Sequence, residues 1–158
     1  GWMISPDVYV EVIKPRQKRL FDAIKERTDA RIFYHGCGAV IELIPHLIEI
    51  GVDIVNPVQV SAEGMDSERL KQTYGDYVVF WGGGVDTQRV LPFGTPDEVR
   101  DEVKRRIDDF APGGGFVFST VHNIQAYVPP ENIEAAFDTA LHYGVGSGGS
   151  AEDSPSAG

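Results

Sequence analysis

The chain holds a single cysteine among 158 residues. No internal disulfide framework can exist, and one free thiol fits the reducing cytoplasm, where the protein is expected to reside. No apolar stretch approaches the ~18–20 residues that a membrane span requires. Positive charge is scarce: 14 Lys and Arg stand against 24 Asp and Glu, leaving a net charge of −10. Nucleic acid and anionic membrane surfaces are bound through Lys and Arg, so neither is expected as a partner. A hydrophobic content of 42% with 24% charged residues is instead that of one globular domain with a real core.

Helices and strands alternate along the chain. After a Ser5 cap and Pro6, the spacing of Val8, Val12, Ile13, Leu20, Phe21 and Ile24 predicts a helix to about Glu26, kinked at Pro15. Arg31 to Tyr34 predicts a strand, and residues 39–50 an apolar helix stopped by Gly51. Val52 to Asn56 is the second strand, Ser67 to Tyr74 a short helix, and Tyr77 to Trp81 the third strand. Thr95-Pro96-Asp97-Glu98 is a helix start: a hydroxyl cap, a first-turn proline and two acids at the positive dipole end. That helix runs through Val99, Val103, Ile107 and Phe110. Phe116 to Phe118 is the fourth strand, and Pro130-Glu131 opens a last helix that ends at Gly144.

Short apolar strands separated by helices indicate a parallel sheet covered on both faces. Four such units predict an α/β fold, the C-terminal half of a TIM (β/α)8 barrel, whose complete form needs about 250 residues. An open flavodoxin-like sheet is the other arrangement. The expected domain spans residues 1–144, and 145–158, rich in Gly, Ser and Ala, is expected to be a disordered tail. The first strand of a half barrel is an apolar edge with unpaired backbone groups. The missing N-terminal half of the barrel, or a second copy of this chain, is therefore the expected structural partner.

Every strand runs into a polar cluster on the same side of the sheet. The first delivers His35 and Cys37, and the second Asn56, Gln59, Ser61 and Glu63. The third delivers Gly82-Gly83-Gly84-Val85-Asp86 and Gln88, and the fourth Ser119, Thr120, His122, Asn123 and Gln125. In a βα barrel this edge carries the chemistry. A thiolate beside an imidazole suits zinc, with a further protein ligand and one position left open. His122 completes the candidate metal set with His35 and Cys37. The same residues also read as a turn with a free thiol and a hydrogen-bonded histidine, because H-x-C alone supplies two ligands.

Asp86 and Glu63 are the candidate catalytic acids, able to carry a proton or orient a ligand histidine. Asp86 also reads as a turn residue bonding its own backbone, and Glu63 as a solvated loop acid. Asn56, Gln59, Gly83, Gly84, Gln88, Asn123 and Gln125 are the candidate contacts to a small-molecule substrate. The glycine run permits close backbone approach but is no Rossmann or P-loop fingerprint.

Several stretches carry a resemblance. They are Ile4-Ser5-Pro6 with Pro15 and Lys18-Arg19-Leu20-Phe21, His35-Gly36-Cys37-Gly38, and Gly51-Val52-Asp53-Ile54 with Asn56-Pro57-Val58-Gln59. Further on come Gly82-Gly83-Gly84-Val85-Asp86-Thr87-Gln88, Phe93-Gly94-Thr95-Pro96-Asp97-Glu98-Val99, and Val121-His122-Asn123-Ile124-Gln125 before Pro129-Pro130-Glu131-Asn132-Ile133. In order, over residues 2 to about 144, the chain resembles the C-terminal half of the uroporphyrinogen decarboxylase superfamily, especially its corrinoid-dependent methyltransferase branch.

The resemblance implies a barrel roughly twice this length. In the methyltransferase branch an H-x-C pair and a later cysteine hold zinc, which activates a thiol or similar acceptor for methyl transfer with a corrinoid protein. His35 and Cys37 match the first two ligands. His122 stands where the third would be cysteine, which is a departure from the branch. The expected function is thus zinc-dependent methyl transfer between a corrinoid carried by a partner protein and a small acceptor, in one-carbon metabolism of the O-demethylation type. Metal-free decarboxylation in porphyrin biosynthesis is the alternative. A half barrel inactive by itself, acting by pairing with another chain, is the third.

Overall fold

The computed structural model describes residues 4–143. The expected tail at 145–158 lies outside the described residues. Four strands, β1 (Phe33–His35), β2 (Ile54–Asn56), β3 (Val79–Trp81) and β4 (Phe116–Val117), form one sheet in the order β1-β2-β3-β4. All three pairings are parallel, matching Phe33 with Ile54, Val55 with Phe80 and Trp81 with Val117. A sheet that always adds its next strand on the same edge winds like a barrel wall. A flavodoxin-like sheet reverses direction at a switch point, and this one does not. The fold is α/β, half of a (β/α)8 barrel.

Helices α1 (Pro6–Val8) and α2 (Lys14–Lys25) are joined by a π-helical turn, Tyr9–Ile13. The expected disturbance at Pro15 therefore falls ahead of the proline. Pro15 has no N–H to complete the regular ladder, and the turn widens so that the Lys14 N–H reaches the carbonyl of Tyr9. Helix α3 (Ile44–Glu49) is shorter than the expected 39–50. Pro45 sits in its first turn, where its missing N–H costs nothing, and residues 41–43 form only a turn. Helix α4 (Ser67–Tyr74) has the expected bounds, α5 (Val90–Phe93) is an additional short helix, and α6 (Pro96–Phe110) and α7 (Pro130–Tyr143) close the order. At α6 the Thr95 side chain accepts from the Glu98 N–H while Glu98 accepts from the Thr95 N–H, a complete capping box.

Three strands begin two residues later than their expected runs. Strand β1 starts at Phe33 rather than Arg31, the Ile32 N–H going to the Asp53 carboxylate, and β2 and β3 start at Ile54 and Val79. The Val52 N–H is taken by the carbonyl of Leu47 and the Val78 N–H by that of Tyr74, so the preceding helix claims the donor before the ladder can. Alternation within the strands then sorts the side chains. Val55 and Phe80 are buried beneath the helices, whereas Phe33 is 47% exposed and Trp81 37% exposed on the opposite face, edge to face at 5.4 Å. That opposite face is the inside of the barrel wall. Phe110 of α6 packs against Phe80 at 5.2 Å and Phe116 at 5.1 Å, fastening the helical layer to the sheet. At the end of the sheet away from the polar loops, Asp53 accepts from the Ile32 N–H and pairs with Lys25 and Arg31. Burial alone would raise its carboxyl, but these partners outweigh burial and hold its pKa below the ordinary value. Among the described residues no helix is long and apolar enough to cross a membrane.

Candidate metal centre

His35 is the last residue of β1, and β2 ends opposite it with Asn56. The Gly36 N–H donates to the carbonyl of Asn56 at 2.7 Å, extending the pairing one residue past the strand. The chain then turns through Cys37 to Gly38, whose φ of 95° suits a glycine. This turn folds the sulfur back, and Cys37 Sγ lies 3.5 Å from His35 Nε2.

His122 arrives from the loop after β4. That loop is tied to the one after β3 by Gly84 N–H to Ser119 O at 2.9 Å and Val121 N–H to Val85 O at 3.2 Å. The Thr120 hydroxyl donates to the His122 carbonyl at 2.7 Å. The ring of His122 stands edge to face with that of His35, centroids 6.3 Å apart. One ligating atom from each of His35, Cys37 and His122 falls within 4.8 Å of the others.

Zinc–sulfur bonds of about 2.3 Å and zinc–nitrogen bonds of about 2.0–2.1 Å, at a tetrahedral angle, put two ligands roughly 3.5 Å apart. The sulfur and Nε2 of His35 have that separation, and all three residues are exposed. The donor set fits zinc: one soft sulfur, two imidazoles and room for a further ligand.

The other expected residues divide. Asn56 Oδ1 lies 2.7 Å from His35 Nδ1, and Asn56 Nδ2 donates to the carbonyl of Trp81. Gln59 Oε1 accepts the Gly38 N–H. A cavity of about 420 Å³ beside the donors is lined by His35, Asn56, His122 and Asn123, with Ser119 and Thr120. Gln125 bonds the carbonyl of Asn123, and Gln88 is exposed on the loop after β3. Gly83 and Gly84 are buried against Val58 and Phe118 respectively. Asp86 is buried, and its carboxylate accepts the Gln88 N–H, the local turn bond. Glu63 lines a different cavity, of about 520 Å³, with Ile41, Glu42, Arg69 and Tyr74.

Neither acid is grouped with the three donors. Arg69 and Tyr74 belong to α4, whose short amphipathic pattern gives no sequence signal of a cavity. A buried chain of polar groups was also missed: Glu102 accepts from Asp86 N–H and pairs with Arg106, which donates to Ser67 Oγ. Its one visible signal was the i,i+4 spacing of Glu102 and Arg106 on α6.

A parallel wall wound strand by strand, with its polar residues gathered at the C-terminal ends, defines a barrel-type α/β protein whose candidate site is the barrel mouth. A family model for uroporphyrinogen decarboxylase (URO-D) matches residues 1–143, and the chain belongs to that family. The uroporphyrinogen decarboxylase of Aromatoleum aromaticum is 31% identical over 144 residues, covering 88% of this chain and 38% of that protein. The one from an Azoarcus species is 29% identical over 144 residues, covering 88% and 37%. A methyltransferase from Methanosarcina mazei superposes with a TM-score of 0.69 at 18% identity, over 89% of this chain and 38% of that one, a likeness of fold. The chain thus spans less than two fifths of the length of these proteins.

Proposed function

We propose that the protein is a zinc-dependent methyltransferase, passing a methyl group between a corrinoid held by a partner protein and a small acceptor, as in O-demethylation. It does so as part of a complete barrel, whose N-terminal half covers the inner face bearing Phe33 and Trp81. The observation that carries the reading is the convergence of His35, Cys37 and His122 within 4.8 Å at the barrel mouth. These three would hold the metal. An ion bound by one thiolate and two neutral imidazoles keeps net positive charge and so lowers the pKa of an acceptor placed on it. The cavity beside them offers Asn123, Ser119 and Thr120 to the acceptor's polar groups.

Metal content tests the reading directly. The intact protein, purified with Cys37 reduced, should carry close to one zinc per chain; less than about a tenth of an equivalent at neutral pH removes it.

The names of the relatives at 31% and 29% identity favour a second reading, metal-free decarboxylation of a tetrapyrrole acid. There, His122 and Asn123 would bond substrate carboxylates. Turnover of uroporphyrinogen that persists undiminished under a zinc chelator would select it over methyl transfer.

A further inference from the structure

The last residue of β2 and the loop after it grip the His35-Gly36-Cys37-Gly38 stretch at two points. Asn56 Oδ1 is 2.7 Å from Nδ1 of His35, and the other end of that amide, Nδ2, donates to the carbonyl oxygen of Trp81 at 2.9 Å. A carbonyl oxygen only accepts, so the amide nitrogen has to face Trp81 and the amide oxygen has to face His35. That oxygen also only accepts. The proton of the neutral His35 ring therefore sits on Nδ1. Nε2 keeps its lone pair, and Nε2 is the atom 3.5 Å from the sulfur of Cys37. Three residues beyond Asn56, Gln59 Oε1 accepts the N–H of Gly38 at 2.8 Å. This bond fixes the backbone immediately after Cys37, where φ is 95° at Gly38.

We propose that Asn56 and Gln59, which sequence reasoning places among the substrate contacts, are positioning residues. Asn56 sets the tautomer and ring orientation of His35, and Gln59 sets the turn that presents Cys37. The purpose of the arrangement rests on the zinc reading, whereas the tautomer follows from hydrogen bonds alone. A ligand imidazole that donates its remote N–H to a fixed acceptor is held in orientation and made more basic. Such supporting groups are typically worth about 10–100-fold in metal affinity.

The test uses the intact protein freed of metal, with its histidine nitrogens labelled for NMR at a pH where His35 is neutral. The His35 signal is assigned by its absence in His35→Ala. His35 should carry its proton on Nδ1 in the natural protein and in Asn56→Asp, which keeps the acceptor. It should lose that preference in Asn56→Ala. In competition with a zinc chelator, Asn56→Ala and Gln59→Ala should each weaken zinc about 10–100-fold. A proton on Nε2 of His35 in the natural protein overturns the proposal, as does an unchanged tautomer in a folded Asn56→Ala protein. Unaltered zinc affinity in both alanine variants overturns the positioning role. If the natural protein takes up no zinc while the tautomer still follows residue 56, the orientation of His35 by Asn56 stands and the zinc reading falls.

Discussion

His35 and His122 meet edge to face, their ring planes at 75° and centroids 6.3 Å apart, although one ends the first strand and the other follows the last. Parallel strands aligned in sequence order bring this about, because every strand opens its loop at the same rim. With Cys37 two residues beyond His35, the meeting of the rings also brings together three atoms able to ligate a metal. Four measurements bear on this arrangement and on the scaffold beneath it.

Loss of any of the three donors should reduce zinc uptake. His122→Ala and Cys37→Ser are expected to weaken zinc by more than the ~10–100-fold typical of a lost supporting group. His122→Cys should retain the metal, since a thiolate is a good zinc ligand. Elemental analysis after dialysis reads the result, and full zinc in His122→Ala would exclude that residue from the ligand set.

Gly83 has a φ of 79°, and a Cβ there would stand 2.9 Å from both the carbonyl oxygen and the Cβ of Val58, between Asn56 and Gln59. Gly83→Ala is expected to destabilise the protein by about 1–3 kcal/mol in urea unfolding and to loosen zinc as the loop after β2 shifts. Gly114 has a φ of 82°, and a Cβ there would meet nothing within 4 Å. Gly114→Ala carries the backbone strain without the clash, so equal losses for the two variants would refute the close-contact account.

Arg106 and Glu102 pair at 3.0 Å, and both are buried. Removing one partner strands the other charge out of water, and Arg106→Ala is expected to cost about 3–5 kcal/mol. Replacing both by apolar residues of similar volume should cost much less, because no charge is then left unpaired. Denaturant midpoints of the single and double variants decide it, and a single variant as stable as the natural protein would contradict the pairing.

Asp53 is held below its ordinary pKa of 3.8 by the Ile32 N–H, Lys25 and Arg31, against the opposing effect of burial. Folding therefore favours its ionised form. Its contribution is present in full above the unfolded pKa and is lost as pH falls through the lowered folded value. The stability gap between the natural protein and Asp53→Asn should be wide at about pH 7 and narrow toward about pH 3. A gap that widens in acid would reverse the assignment.

Local chemistry was legible from the chain. The Thr95 cap with Pro96 and Glu98 announced α6, and a hydroxyl, a proline and an acid at fixed offsets need nothing but each other to act. The alternation of short apolar runs with helices announced the parallel sheet. The strand starts were not legible, because Val52 and Val78 are apolar, yet their N–H groups are claimed by carbonyls of the preceding helices. Nor was the condition of Asp86, whose burial beside Glu102 depends on α6 packing under the loop after β3.

The amino-acid order by itself determined the βα alternation, the rim at which polar residues gather, and the closeness of His35 to Cys37. These rest on interactions within a few residues of chain, which any sufficiently similar stretch would make. Tertiary structure alone decided that His122 joins them, that Glu63 opens into another cavity, and that Asn56 turns its amide oxygen toward His35. Those outcomes depend on strand register and on hydrogen bonds between distant segments. A shift of one residue in the pairing of β1 with β2 would turn Asn56 to the other face and leave His35 without its acceptor.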